Sequence, residues 1–249
     1  MLKPRERDRN QERVLLTGAT GFVGQRLYPH LIKEFGEVIC ASRSVERAIK
    51  KFPERVWRHL DVDDAKTLGP ALKDIDIAYY LIHEMAEEGD FEERERQAAM
   101  GFRLIAEQAG VKRVVYLGGV EPSGTASKHL RSRMRTGEIL RSGTLSCVEL
   151  RAGMIIGEGS ASWQMVRDLS ARLPIMILPR WLKCRSQPVS IRDVLKALVK
   201  AAKISDEEAG CYSIPGAEML SAKEILLRVS RLRGYKPITF DVPFVSPRL

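Results

Sequence analysis

Short apolar runs alternate with longer stretches of helical periodicity through the first two-thirds of the chain. The runs at 13–17, 37–42, 56–60, 75–82, 113–117 and 146–151 predict strands. Several are continuously apolar, the pattern of parallel strands covered on both faces. Helix-length segments at 23–35, 45–52, 65–72, 91–109 and 128–141 separate them, and Gly36, Gly110 and Gly143 stand where helix C-caps belong. This alternation predicts an α/β fold, a doubly wound parallel sheet with right-handed crossovers and helices on both faces.

The final third is less regular. Residues 160–173 predict a helix with Trp163, Val166, Leu169 and Leu173 on one face, and IMIL, between Pro174 and Pro179, a short strand. SIRD at 190–193 and SAKE at 221–224 match the capping box that starts a helix, which assigns Ser190, Asp193, Ser221 and Glu224 to caps before any chemistry. The chain ends at PFVSPRL with no clear final element, as a longer chain cut short would.

The first predicted strand runs into TGATGFVG, with glycines at 18, 21 and 24 and a predicted helix behind them. In that context Gly18 permits a tight turn, Gly21 lets backbone approach a pyrophosphate, and Gly24 lets the helix pack closely on the strand. Helix N-terminal amides then point at the phosphates. The loop, with Thr20, Phe22 and Val23 between its glycines, predicts a nicotinamide dinucleotide site on a Rossmann sheet. The second strand decides which dinucleotide. NAD binders place an acid at its end for the ribose 2′-hydroxyl, about 20 residues past the glycines, whereas NADP binders use arginine. Here the strand ends in Ser42 and Arg43, Arg47 follows a turn later, and Glu37 lies at the wrong end. A guanidinium grips phosphate through charge-assisted bonds, so NADP(H) is expected over NAD(H).

Charge and cysteine usage narrow the classes further. The formal net charge is +9. Between Lys128 and Arg192 stand twelve bases and four acids, a field that attracts an anionic ligand or an acidic partner. No helix that reads major-groove bases and no aromatic stacking platform is visible, so nucleic acid is not an expected partner. The four cysteines are dispersed and form no CxxC pair. Cys40 and Cys147 fall in apolar runs as core thiols, which fits a reducing cytoplasm and neither a disulfide framework nor a metal site. No apolar run approaches the roughly 18–20 residues of a membrane span. Residues 1–12 read as a charged flexible tail, not a secretory signal. Residues 13–249 read as one dinucleotide-binding domain, with a small substrate or partner lobe built mainly from 153–190 and 210–249.

TGATGFVG, LDVDD at 60–64, DIAYYLIHEM at 76–85, GVKRVVYLGG at 110–119 and VELRAGMIIG at 148–157 together resemble the short-chain dehydrogenase/reductase superfamily. Within it they are similar to the extended and atypical branch, among NmrA-like and epimerase-like NAD(P)-binding proteins. The likeness runs from about Val14 to Ala202, and the order of the motifs is more specific than any one of them. It implies that Asp61 and Val62 contact the adenine. Leu81, Ile82 and His83 would line the cofactor beyond the fourth strand, Gly118 and Gly119 beyond the fifth. Gly153, Met154 and Ile155 would pass near the nicotinamide.

The same resemblance implies a catalytic tyrosine with a lysine four residues on, assisted by a serine or threonine after the fifth strand. The residues four past the six tyrosines (28, 79, 80, 116, 212 and 235) are Ile32, His83, Glu84, Val120, Gly216 and Thr239, and none is lysine. Counted back from Glu138, the dyad positions fall at Leu130 and Met134, and the serine/threonine site falls at Gly118–Gly119. Neither Leu130 nor Met134 can move a proton.

His83 is the candidate substitute, with an intrinsic pKa of about 6.5; the blander account is a hydrogen-bonded histidine beside the cofactor. His129 reads first as a solvated cap, Tyr79 and Tyr80 as core, with one of the two facing the cofactor as the alternative because they alternate across a strand, and Arg131 with Arg135 as a surface face that pairs with Glu138 or meets an anion. Two readings follow. One is an NADP(H)-dependent reductase or epimerase-like enzyme with non-standard acid–base groups and a small anionic substrate. The other is a catalytically inactive NADP(H)-sensing regulator or scaffold that binds a protein partner.

Overall fold

Val14, Leu15 and Leu16 are wholly buried, and the strand they form anchors the sheet at its centre. The computed structural model describes residues 12–82, 91–120, 127–172, 175–179 and 185–242. The chain divides into two compact units, Met1–Arg151 with Leu195–Ser213, and Ala152–Val194 with Ile214–Leu249.

The first unit alternates strand and helix as the pattern requires: β1 (Arg13–Leu16), α1 (Phe22–Phe35), β2 (Glu37–Ser42), α2 (Val45–Lys51), β3 (Val56–His59) and α3 (Ala65–Leu72). There follow β4 (Ile77–Tyr80), α4 (Phe91–Gln108), β5 (Arg113–Gly119), α5 (Lys128–Arg141) and β6 (Ser146–Ala152). The later elements are β7 (Ile155–Ile156), α6 (Ala161–Arg172), β8 (Ile175–Pro179), β9 (Arg185–Ser186), β10 (Val189–Ser190) and α7 (Ile191–Ala201). The chain closes with β11 (Cys211–Ile214), β12 (Leu220–Ser221), α8 (Ala222–Leu232) and β13 (Ile238–Val242).

Seven strands form the main sheet, in the order β11-β6-β5-β4-β1-β2-β3. β1 pairs in parallel with both β2 and β4, so Leu15 lies opposite Ile39 on one side and Ala78 on the other. The strand order reverses between β1 and β4, and ligands of such sheets bind outside the carboxyl ends of the strands at that reversal. One face buries Leu15, Ile39, Leu60, Leu72, Tyr80, Phe102, Tyr116 and Leu140 together. On the other, the wholly buried Tyr79 donates its hydroxyl to the Leu198 carbonyl of α7 (3.1 Å). The expected doubly wound α/β fold is the observed one.

Two of the three expected glycine caps have the left-handed conformation, Gly36 (φ 75°) and Gly110 (φ 74°), and Gly36 donates to the Ile32 carbonyl (2.9 Å). Gly143 does not. α5 stops at Ser142 in right-handed geometry, and Gly143 is small because a Cβ would collide with Glu107 Oε1 and the Arg103 guanidinium.

In the second unit β10 runs parallel to β7, β13 parallel to β8, and β12 antiparallel to β9. α6 and α8 pack through small residues: Ser170 Oγ donates to the Leu226 carbonyl (3.1 Å) and Ser230 Oγ to the Ser170 carbonyl (3.2 Å). The buried side of α6 therefore passes through Ser170. Leu169, expected on that side, is 39% exposed, because close helix approach favours the smaller neighbour. Leu173 lies outside the described residues. Ser221 and Glu224 form the expected capping box on α8, and Ser190 Oγ accepts from the Arg192 amide ahead of α7 (3.2 Å).

Cys40 and Cys147 are buried, and burial pushes both thiols up to about 12. At mildly alkaline pH, iodoacetamide is expected to spare both in the folded protein and to label the exposed Cys211. Peptide mass spectrometry reads the order; labelling of Cys40 ahead of Cys211 contradicts the packing. Among the described residues no helix is long and apolar enough to cross a membrane, and no group of three side chains is placed to ligate a metal.

Candidate dinucleotide site

Thr17 follows β1 directly and is wholly buried. Its Oγ1 donates to the Tyr79 carbonyl (2.8 Å) and accepts from the Leu81 amide (3.0 Å). One hydroxyl thus ties the ends of β1 and β4 together where the strand order reverses. The chain then turns through Gly18 at φ 62°, a left-handed conformation in which a Cβ would collide with the Leu81 carbonyl. The Gly21 amide donates to the Gly18 carbonyl (2.9 Å). Gly24 lies so close beneath the loop that a Cβ there would collide with the Gly18 carbonyl.

Gly21 is the N-cap of α1, and no side chain caps that helix. Its first-turn amides, which have no intrahelical acceptor, belong to Phe22, Val23 and Gly24. Gly18, Thr20 and Gly21 line a cleft of about 520 Å³. A bare cradle of main-chain N–H groups at the positive end of a helix, with no side chain in the way, fits a diphosphate. The cleft volume falls in the range of small-molecule sites.

The far wall comes from the end of β2 and from α2. Ala41, Ser42, Arg43, Ser44, Arg47 and Lys51 all line the cleft. Ser42 Oγ accepts from the Ser44 amide (3.2 Å), which turns the chain into α2. Arg43, Arg47 and Lys51 are exposed and recur every four residues, so three cations face one space. Glu37, at the other end of β2, is held by Arg13 Nε (2.8 Å). From the loop after β3 come Val62 and Asp63; Asp61 is not among the lining residues, and its Oδ1 accepts from the Asp63 amide (3.2 Å).

Tyr80, Leu81 and Ile82 line the cleft from β4 and its end, with Glu95 and Ala98 from α4 and Thr136 from α5. Ser132 donates to the Glu95 carboxylate. Burial, then the charges of Glu95 and Asp63, push the Tyr80 phenol above its ordinary range, so it is a neutral donor at physiological pH.

Of the residues expected at the site, the structure brings together Gly18, Thr20, Gly21, Ser42, Arg43, Val62, Leu81 and Ile82 around one cleft. His83 lies outside the described residues. Gly118 and Gly119 end β5, buried, and do not line this cleft. A Cβ on Gly119 would sit 2.6 Å from Leu130 Cδ1, so the leucine at the expected tyrosine position is packed on the expected serine position. Gly153, Met154 and Ile155 belong to the second unit. There a Cβ on Gly153 would sit 2.5 Å from the Gln187 carbonyl, and the Met154 carbonyl accepts from the Val189 amide (2.9 Å).

His129 stacks on Phe91 (centroids 4.7 Å apart), and Arg135 pairs with Glu138 (3.1 Å). The lining residues that the sequence reading missed include the polar Ser44, Lys51, Asp63, Glu95 and Thr136, with Ala41, Ala48, Leu60 and Ala98 filling between them. Lys51 was legible as the next step of a spacing of four. Glu95 and Thr136 depend on how α4 and α5 pack, which no local pattern encodes.

A comparison with curated proteins finds no sequence match. Solved structures show the same fold at low identity. A nucleoside-diphosphate-sugar epimerase from Staphylococcus aureus superposes with a TM-score of 0.76 at 17% identity, covering 92% of this chain and 80% of that one. The triphenylmethane reductase of Citrobacter sp., solved with NADP(H), gives 0.76 at 17% identity, covering 93% and 79%. The UDP-glucose 4-epimerase of Thermus thermophilus, solved with NAD, gives 0.72 at 18%, covering 93% and 86%. The sequence model of the family described as NAD(P)H-binding matches residues 18–154, a span that opens at the first glycine of the cradle and takes in the whole cleft wall. The chain belongs to this NAD(P)H-binding family, in keeping with its resemblance to the atypical short-chain dehydrogenase/reductases.

Proposed function

We propose that the chain binds NADP(H) in preference to NAD(H), and that it is a reductase or epimerase-like protein for a small anionic substrate with acid–base groups other than the tyrosine–lysine dyad. The observation that carries the cofactor preference is the row Arg43, Arg47 and Lys51 on one wall of the cleft, with no acid at the end of β2. Three cations around one space favour an extra phosphate, and a guanidinium grips it through paired bonds. The loop from Gly18 to Gly24 would hold the diphosphate, and Val62 and Asp63, which line the cleft after β3, would meet the adenine. When bound, the nicotinamide supplies hydride-transfer chemistry; the protein binds, orients and excludes water.

Calorimetry tests the preference. NADPH is expected to bind wild type more tightly than NADH. Arg43→Ala is expected to weaken NADPH about tenfold, the loss of one charge-assisted contact, while leaving NADH within about twofold. Equal NADPH affinity in the two proteins overturns the assignment.

The second reading, an inactive NADP(H) sensor or scaffold with a protein partner, is favoured by one feature. Leu130 packs an apolar side chain against Gly119 where the resemblance places a proton donor. Mixing protein and NADPH with aldehydes, ketones and quinones separates the two. Absorbance loss that disappears in His83→Ala supports the enzyme, and tight NADPH binding without turnover supports the sensor.

A further inference from the structure

Arg55 stands in the turn between α2 and β3, outside both the glycine motif and the cationic row. Its side chain is only 7% exposed. The guanidinium lies 4.3 Å from the ring centroid of Tyr28 on α1 and 3.9 Å from that of Phe52, which follows α2. Nε pairs with Glu54 (3.1 Å), and Nη1 donates to the carbonyl of Ala19, inside the glycine loop (3.3 Å). Trp57 supports the assembly by donating from Nε1 to the Phe52 carbonyl (3.1 Å).

A planar cation over two aromatic rings, with its stem buried, has one orientation available. Held so, it gives Nε to Glu54, meets the Cys40 thiol of β2, and turns Nη1 to the loop. The Ala19 carbonyl lies between Gly18 and Gly21, and its partial negative charge would repel a diphosphate if it turned inward. Bonded to Arg55 it is held toward the α2–β3 turn instead. The guanidinium also places a positive charge behind the loop, largely out of water, where it attracts an anion on the other side more strongly than a solvated charge would.

We propose that Arg55 is a positioning residue for the phosphate loop: by holding the Ala19 carbonyl it presets the loop amides for the diphosphate common to every nicotinamide dinucleotide. This rests on the dinucleotide-binding reading above, and it differs from the role of Arg43 in being blind to the 2′-phosphate.

Calorimetry with NADPH and NADH on wild type, Arg55→Met and Arg55→Lys decides it, with thermal melts to establish that each variant is folded. Arg55→Met is expected to weaken both nucleotides about tenfold, leaving the ratio between them unchanged. Arg55→Lys keeps a cation and a donor but loses the planar fork, and is expected to weaken both nucleotides by less than Arg55→Met does. That rescue separates the charged donor from mere filling of space. Unchanged binding in Arg55→Met overturns the proposal, as does equal weakening in the lysine and methionine variants. Weakening of NADPH alone also overturns it, by moving Arg55 into the 2′-phosphate site. If Arg55→Met does not fold, Arg55→Leu, which likewise carries neither charge nor donor, answers the same question: it must weaken both nucleotides. Wild type that binds neither nucleotide defeats the underlying reading itself, an outcome distinct from all of these.

Discussion

A Gly24→Val variant is expected to lose nicotinamide-dinucleotide binding outright, by more than about a hundredfold for NADPH and NADH alike. The reason is distance. A Cβ at 24 would collide with the Gly18 carbonyl and come within 2.9 Å of Ala19 Cα and the Gly18 carbonyl carbon. These are backbone atoms of the loop itself and cannot swing aside as a side chain can. The loop must lift off α1, the bond from the Gly21 amide to the Gly18 carbonyl breaks, and the amides lose their common focus. A β-branched residue widens the collision.

Two other helical glycines supply the control. A Cβ on Gly69 of α3 meets nothing within 4 Å, and one on Gly101 of α4 meets only Leu68 Cδ1 at 3.8 Å. Both alanine variants should therefore leave binding unchanged; Gly101→Ala should raise stability by up to about 1 kcal/mol through helix propensity, and Gly69→Ala should not, because Pro70 follows it and disfavours a Cβ in helical geometry. Calorimetry beside a thermal melt reads both effects. Gly24→Val that binds within threefold of wild type contradicts the close approach on which the site is built.

The collision at Gly24 was legible before any coordinates, because its spacing from Gly18 and a predicted strand–turn–helix context leave few other uses for three glycines. The same holds for the sheet. Residues 37–42, 65–72 and 128–141 were read with the bounds they have in the structure, since strands buried on both faces and helices with capped ends leave dense local signals. Where burial is one-sided or slight, the signal fades. Cys211, Tyr212 and Ser213 are exposed on β11 at the sheet edge, so no apolar run marks them. β13 was missed as well: its Ile238 and Phe240 are more than half exposed, and the segment lacks the buried run that marks a core strand.

The site divides along the same line. Arg43 and the glycines sit at fixed offsets from β1 and β2 and were read directly. Arg55 reaches Ala19 across 36 residues through a fold that must exist first. For Tyr80 the sequence supports both core packing and a place facing the cofactor, and it is buried and also lines the cleft, because a strand that ends at a ligand crevice can pack one side chain against both. Part of the basic excess between Lys128 and Arg192 is met by acids outside that stretch, Glu92 and Glu224, and part by acids within it. Arg131 pairs with Glu92, Arg135 with Glu138, Arg167 with Asp168 and Arg185 with Glu224, so charge counted along the chain overstates what a ligand would meet.

The largest expected loss of stability follows from the one carboxylate that is fully buried among the described residues, Glu149 on β6. Arg141 Nε bonds one oxygen and Arg151 Nε the other, each at 2.8 Å. Gly137 makes the room: a Cβ there would sit 2.5 Å from the Glu149 carboxyl carbon. The three partners are not equivalent. The arginine side chains are 31% and 15% exposed, the glutamate not at all. Losing one arginine leaves a carboxylate that water cannot reach with one oxygen no longer ion-paired, whereas losing the glutamate leaves two cations that can hydrate. Arg151→Met is therefore expected to cost about 3 kcal/mol in urea unfolding, and Gly137→Ala to act in the same direction by displacing the carboxylate. Glu149→Gln should cost less than Arg151→Met despite changing the buried member of the group. Adding Glu149→Gln to Arg151→Met should recover part of the loss, because it removes the half-paired charge, and a double-mutant cycle measures that coupling. A glutamine variant less stable than the methionine variant, or a double mutant that sums the two single losses, would mean that Glu149 is held by something other than its two arginines.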